Sequence, residues 1–212
     1  MNKDNFKEYI NAFLNQNAKL NLISKNDEKF LWEKHIFDSL AIEKFFEKYN
    51  KGKILLDIGT GGGFPSVPIA LTYPEIEVYA LDSIRKKINA IENIKEELNI
   101  PNLHTICDRA ENILKTYPPL GGGSKSTISG RGKFDIITSR AVATLDKIAG
   151  YALPLLNKDG YFVAYKSVRA HEEIDQAQTI LKKYKAKVID VIEYDLPLAE
   201  NHTRNLIVIK FT

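Results

Sequence analysis

Cysteine, tryptophan and methionine occur once each in this 212-residue chain. The single cysteine, Cys107, excludes an intramolecular disulfide and fits a reducing compartment. No apolar run approaches the roughly 18–20 residues of a membrane span. The opening stretch, MNKDNFKEYI, holds neither a signal-peptide core nor a myristoylation glycine, so a cytoplasmic protein is expected. The four histidines (His35, His104, His171 and His202) are scattered, and no Cys/His cluster suggests a metal. The motif G-x-x-x-x-G-K-[ST] is absent, which excludes a P-loop. Excess charge is small: a net +3 permits a nucleic-acid partner without requiring one. With 44% hydrophobic and 27% charged residues, the chain has the composition of a globular protein, long enough for one α/β domain and a small extension.

The organising stretch is KILLDIGTGGGFP, Lys53 to Pro65. Ile54, Leu55 and Leu56 form the apolar run of a strand buried on both faces of a parallel sheet. Asp57 closes that strand. Gly59, Gly61, Gly62 and Gly63 then make a turn in which positive φ is tolerated and a ligand can lie on the backbone. Pro65 suits the first position of the following helix. Strand, glycine turn and helix start together predict a nucleotide-like cofactor site. The dinucleotide fingerprint G-x-G-x-x-G fits poorly, because its third position falls on Phe64 or Ser66. The observed D-x-G-x-G-x-G is the arrangement of S-adenosylmethionine (SAM) methyltransferases.

Residues 4 to about 50 read as helices, a cap on the domain that follows, with Phe6, Ile10, Phe13 and Leu14 at helical spacing. From residue 51 to 212 strands and helices alternate. Strands are predicted at EVYALDS, LHTICDR, FDIITSR and GYFVAYKS. After EVYALDS a long amphipathic helix is predicted with Ile84, Ile88, Ile91 and Leu98 on its apolar face, and further helices from about Thr144 to Leu156 and from about Ala170 to Tyr184. KVIDVIEY and NLIVIKF have no helix between them, so they form a hairpin and one edge of the sheet turns antiparallel. A Rossmann-like α/β sheet of seven strands ending in a hairpin is the class I SAM-dependent methyltransferase plan. One segment breaks the rhythm: residues 118–133 are rich in Gly, Ser and Lys, and predict a mobile surface insertion.

An adenosine cofactor needs an acid near its ribose, about 20 residues beyond the glycines. Asp82 lies 19 residues after Gly63, beside Ser83; it is also placed to cap the next helix. In DRAEN, the backbone near Ala110 and Glu111 is placed to read the adenine edge, with Phe64 or Ala110 against the ring. Arg140, at the mouth of the fourth strand, demands a partner, because an unpaired buried guanidinium is prohibitive. The cofactor carboxylate, a substrate phosphate and Asp57 all qualify. His35 and Asp38 are three residues apart and share a helix face. No [ND]-P-P-[YF] motif for amine methylation is present, and Cys107, inside an apolar strand, is a poor nucleophile for C5 chemistry. Guanine N7 has a lone pair and no proton to lose, so a site without an obvious general base suits it. A small-molecule methyltransferase and a non-enzymatic RNA-binding module remain alternatives.

KHIFDSL, DIGTGGGFPSVPIA, LDS-x-x-K-K, DRAE, FDIITSRAVATL, YKS and RNLIVIK, in this order, resemble the RsmG (GidB) family over roughly residues 30 to 211. The resemblance implies a helical cap on a class I domain that uses SAM to methylate N7 of a guanine in 16S RNA of the small ribosomal subunit, near the decoding region. It implies cofactor contacts at Gly59, Phe64, Ala110, Glu111 and Arg140, with Gly61 in the same turn and Asp82 and Ser83 nearby. It raises His35, Asp38, Lys166 and Arg140 as candidates for the substrate side. RNA is expected against a basic rim of Arg85, Lys86, Arg140, Lys166 and Arg169. A monomer without metal is expected. The chain departs from the family at Gly62, where proline is frequent, at Phe64, where leucine is common, and in the 118–133 insertion.

Overall fold

The computed structural model describes residues 2–49, 51–116, 134–200 and 202–212. The 118–133 insertion read from the sequence lies outside them. The N-terminal region is helical: a 3-10 turn at Lys3–Phe6, α1 (Lys7–Leu20), α2 (Lys25–Glu28), a π-helical stretch at Leu31–Phe37, then α3 (Asp38–Leu40) and α4 (Ile42–Phe46). Ser24 caps α2, its hydroxyl accepting from the Asp27 N–H. The remainder alternates as expected: β1 (Ile54–Ile58), α5 (Ser66–Thr72), β2 (Glu77–Asp82), α6 (Arg85–Leu98), β3 (Leu103–Cys107), α7 (Ala110–Thr116), β4 (Phe134–Arg140), α8 (Leu145–Ala152), β5 (Leu156–Lys166), α9 (Ala170–Tyr184), β6 (Ala186–Asp195) and β7 (Thr203–Phe211).

These strands form one sheet in the order β3-β2-β1-β4-β5-β7-β6. β1 to β5 are parallel, while β7 runs antiparallel to both β5 and β6. The hairpin is as expected, but its second strand inserts between β5 and the first. That puts the apolar β7, with Leu206–Ile209 fully buried, inside the sheet and the more polar β6 at its edge.

Successive strand residues face opposite sides. Leu55 joins a core with Phe6, Phe13, Trp32, Ile36 and Phe45 of the N-terminal helices, whereas Leu56 joins Ile148, Ala149, Ala177 and Leu181 of α8 and α9 on the other face. The N-terminal helices thus share one outer face of the sheet with α5 and α6, whose Val67, Ile69, Ile88 and Ile91 belong to the same core. Fully buried aromatic rings such as Phe13 and Phe45 contribute about 2–3 kcal/mol each to that layer.

Three local expectations are corrected. Pro65 caps α5 from outside rather than occupying its first turn. Ile84 is not on the buried face of α6; it precedes the helix and is exposed, and Ile94 completes the apolar stripe with Ile88 and Ile91. β5 starts at Leu156, before Gly160, pairing with Phe134 ahead of a register shift in the ladder with β4 between Phe134 and Ile136. Gly160 sits where an added Cβ would lie 2.8 Å from the Asp135 carbonyl oxygen, so only glycine fits at that irregularity.

Candidate active site

The glycine turn is held from β2. Gly59 and Thr60 both donate their N–H groups to the Leu81 carbonyl, at 2.8 and 2.9 Å. Gly61 donates to Asp82 Oδ2 at 3.0 Å, and Asp82 Oδ1 accepts from the Ile84 N–H at 2.9 Å. Asp82 therefore braces the turn and the entrance to α6 together. Asp82 does not cap α6 as the sequence offered, since the N-cap is Ile84 and has no side-chain cap; it holds the Ile84 N–H just before the helix and braces Gly61. Each carboxylate oxygen keeps a lone pair for a ribose hydroxyl.

Gly59 has φ +75°, and a Cβ there would lie 2.3 Å from Val142 Cγ2. That glycine is required twice over, by its dihedral and by its neighbour. Over the turn opens a cavity of about 410 Å³ between the tips of β1, β2, β3 and β4, lined by Gly59, Asp82, Ser83, Ala110 and Glu111 among others. Gly61 and Phe64 are not in its lining. The Phe64 ring turns the other way, into a buried cluster with Tyr9 and Phe13, so it does not lie against an adenine in this cavity. Its backbone direction after the turn, invisible in the sequence, decides this.

A second cavity of about 670 Å³ opens beside the first, and Ala141 and Val142 line both. Ala141 has φ +55°, a left-handed conformation uncommon for an alanine, which turns the chain away at the end of β4. Arg140, Lys166, His35 and Asp38 all line this cavity and not the one over the glycines.

Arg140 makes the central interactions. Its Nη1 donates to Asp38 Oδ2 at 2.8 Å and to the Lys34 carbonyl at 3.0 Å, and Nη2 donates to His35 Nδ1 at 3.1 Å. The guanidinium also lies 5.2 Å from the centroid of the Phe64 ring, which packs against His35 at 5.1 Å. Asp38 Oδ1 accepts from the Tyr194 hydroxyl at 2.7 Å. The Arg140–Asp38 pair is 14% and 7% exposed, so each charge depends on the other. Asp38, rather than Asp57, is the partner that Arg140 demanded. His35 and Asp38 meet through Arg140, not through each other.

Burial, with the Arg140 charge beside it, pushes the His35 pKa down to about 4. A guanidinium only donates, so Nδ1 accepts and the ring proton sits on Nε2, which is buried without a partner among the described residues. His35 is thus a neutral, committed ring. Asp57 sits behind the glycine turn, fully buried, with Oδ1 accepting from Thr138 at 3.0 Å; burial raises its pKa to about 6.

Lys166 lies on another wall. Its Nζ donates to the Ala143 carbonyl and to Glu173 Oε2, each at 2.7 Å. Arg140 and Lys166 are therefore inside the cavity, whereas Arg85, Lys86 and Arg169 stay exposed as rim residues. Cys107 is half-buried at the tip of β3, not fully in the core. Among the described residues no group of three or more His, Cys, Asp or Glu could hold a metal. Sequence reasoning missed Tyr194 and Glu173, both distant along the chain. Glu173, an acid in the first turn of α9, carried only a weak signal.

The family described as rRNA small subunit methyltransferase G (GidB) matches residues 2–206. A Bacillus licheniformis protein named ribosomal RNA small subunit methyltransferase G is 36% identical over 207 residues, covering 98% of this chain and 81% of the relative. A Staphylococcus saprophyticus protein of the same name is 35% identical over 192 residues, 91% and 75% of the two chains. Among solved structures, P. horikoshii TYW2 in complex with MeSAdo superposes with a TM-score of 0.59 at 16% identity, over 82% of this chain and 61% of that one. TrmN from Thermus thermophilus gives 0.57 at 15%, over 82% and 48%. At those identities the structures speak to the fold alone, which is a class I methyltransferase fold. By sequence, the chain belongs to the rRNA small subunit methyltransferase G (GidB) family.

Proposed function

We propose that this protein transfers the methyl group of SAM to N7 of a guanine in 16S RNA of the small ribosomal subunit. The observation that carries this reading is the pairing of two cavities at the strand tips, one over the glycine turn and one around Arg140, with Ala141 and Val142 common to both walls. A donor in the first and an acceptor base in the second would meet across that shared edge, where orientation supplies much of the rate.

The residues of the first cavity fit an adenosine cofactor. Gly59 lets a ligand approach the backbone, Asp82 keeps free lone pairs at the β2 tip, and Ala110 and Glu111 close the β3 side. When bound, SAM supplies an electrophilic methyl group. Everything else falls to the chain: to hold, to orient and to exclude water. In the second cavity His35 is neutral with its acceptor nitrogen occupied, and each Asp38 oxygen accepts from one donor. Both side chains are already engaged with Arg140, which favours a nucleophile with a ready lone pair, as N7 has. The exposed Arg85, Lys86 and Arg169 offer phosphate contacts, which give affinity that falls with salt. The protein acts as a monomer in this reading, because among the described residues the exposed large apolar ones (Ile84, Val142, Tyr151 and Val168) do not form one helix face.

The test is chemical cleavage at 7-methylguanosine in ribosomal RNA from cells with and without the protein. One small-subunit site should lose cleavage in the strain lacking it and regain it on adding protein and SAM. If every site is still cut, the reading is wrong.

A further inference from the structure

N7 of adenine carries the same lone pair as N7 of guanine. A site that chooses guanine must therefore read other atoms: O6 beside N7, where adenine has an amine, or the Watson–Crick edge. Guanine's Watson–Crick edge presents two donors, N1–H and the N2 amine, where adenine has an acceptor at N1. A carboxylate oxygen with an unused lone pair accepts from the first and repels the second.

Three carboxylates line the Arg140 cavity: Asp27, Asp38 and Glu173. Each Asp38 oxygen already accepts from one donor, Arg140 or Tyr194. Each Asp27 oxygen likewise accepts from one donor, the Lys34 ammonium at 3.0 Å or the Ser24 hydroxyl at 2.7 Å. Glu173 is arranged differently. Its Oε2 takes two donors, Lys166 Nζ at 2.7 Å and the Leu145 N–H at 2.8 Å. Its Oε1 has no hydrogen-bond partner among the described residues, and the side chain is 20% exposed in the cavity wall. Two donors on one oxygen, one of them a backbone N–H at the start of α8, fix the carboxylate's orientation.

We propose that Glu173 Oε1 accepts from the Watson–Crick edge of the target base and so selects guanine over adenine. The inference rests on the Arg140 cavity being the substrate site of the methyltransferase reading above. Lys166 is then a positioning residue: it sets Glu173 rather than touching the base.

The geometry makes the amide variant informative. In Glu173→Gln, Lys166 Nζ and the Leu145 N–H still need an acceptor where Oε2 stood. The amide meets that need only by turning its carbonyl toward them, which leaves its NH2 in the place of Oε1. A donor would then face the base, mismatched to guanine and matched to adenine N1.

The experiment first maps the guanine that the wild-type protein methylates, then prepares that RNA with guanine, inosine or adenine at the position. Single-turnover methylation is measured with wild type, Glu173→Gln and Glu173→Asp, alongside SAM titration of each. The guanine-to-adenine rate ratio should fall at least about tenfold in Glu173→Gln. It should fall less in Glu173→Asp, which keeps the charge but withdraws the acceptor. Wild type should rank guanine above inosine, which lacks the amine. SAM affinity should stay within about twofold, since Glu173 lies outside the glycine-turn cavity. If the variants slow transfer to all three bases alike, or leave the ratio unchanged, Glu173 only braces Leu145 and Lys166 and the inference falls. Wild type failing to methylate any guanine would instead overturn the functional reading, and this inference with it.

Discussion

The cavity over the glycine turn is walled mostly by residues within a few positions of four strand tips, whereas the Arg140 cavity depends on side chains that meet across the whole chain. In the first, Gly59, Asp82 and Ala110 sit where βα turns must place them. In the second, Arg140, Asp38 and Tyr194 come from β4, α3 and β6, 156 residues apart at the extremes. A site built on local turns tolerates change in most side chains but none at its glycines. A side-chain-built site fails when any one partner is removed, because the others are left charged and buried.

That contrast can be broken by mutation, beginning with the largest effect. Arg140→Ala leaves the Asp38 carboxylate buried with only the Tyr194 hydroxyl, so urea unfolding should show a loss of about 3–5 kcal/mol. Unchanged stability would mean that Asp38 is not held by Arg140. Gly59→Val should act on binding instead. The clash with Val142 and the +75° φ should weaken SAM binding about 100-fold, near 2.7 kcal/mol, by calorimetric titration. Wild-type affinity there would remove the cavity over the turn from the cofactor site.

A pH titration sharpens the comparison further. Folded His35 titrates near 4, against about 6.5 in an unfolded chain. As pH falls from 6.5 toward 4, the unfolded state binds the extra proton, and stability from this group is lost, on the order of 2 kcal/mol. Asp57, with its pKa raised to about 6, works oppositely: its folded form binds the proton first as pH falls. The difference between wild type and His35→Gln isolates the histidine. The variant should lack the acid-side loss between pH 6.5 and 4, and equal slopes in the two proteins would contradict a buried neutral ring. The smallest effect is expected of Phe64→Leu. It keeps the apolar floor but removes the ring beneath Arg140, costing about 1 kcal/mol in stability with SAM affinity unchanged. A loss of SAM affinity in that variant would return Phe64 to the cofactor site.

Much of the frame was legible because it is local. The apolar run at Ile54–Leu56, the glycines after it, and Asp82 at the expected offset each reflect short-range constraints of strand, turn and helix start. β4 and α9 lie where periodicity placed them. Elements that depend on competition between distant surfaces were not legible. The insertion of β7 between β5 and β6 follows from which strand is more apolar on both faces, a comparison no local window makes. His35 and Asp38 were read on one helix face, but His35 lies in the π-helical Leu31–Phe37 and Asp38 begins α3, and both side chains bond Arg140, a partner 102 or more residues away that no local window contains.

By itself, then, the sequence determined the order of strands and helices along the chain, the tight turn at Gly59–Gly63 and the family, since these follow from hydrophobic period, glycine dihedrals and motif spacing. Only the tertiary structure decided that Phe64 faces the core beneath Arg140, that Asp82 braces Gly61, and that both donors to Glu173 from the described residues fall on one of its oxygens. Those outcomes depend on which polar atoms find partners once the layers pack, and burial makes each such pairing obligatory without writing it into any neighbouring residue.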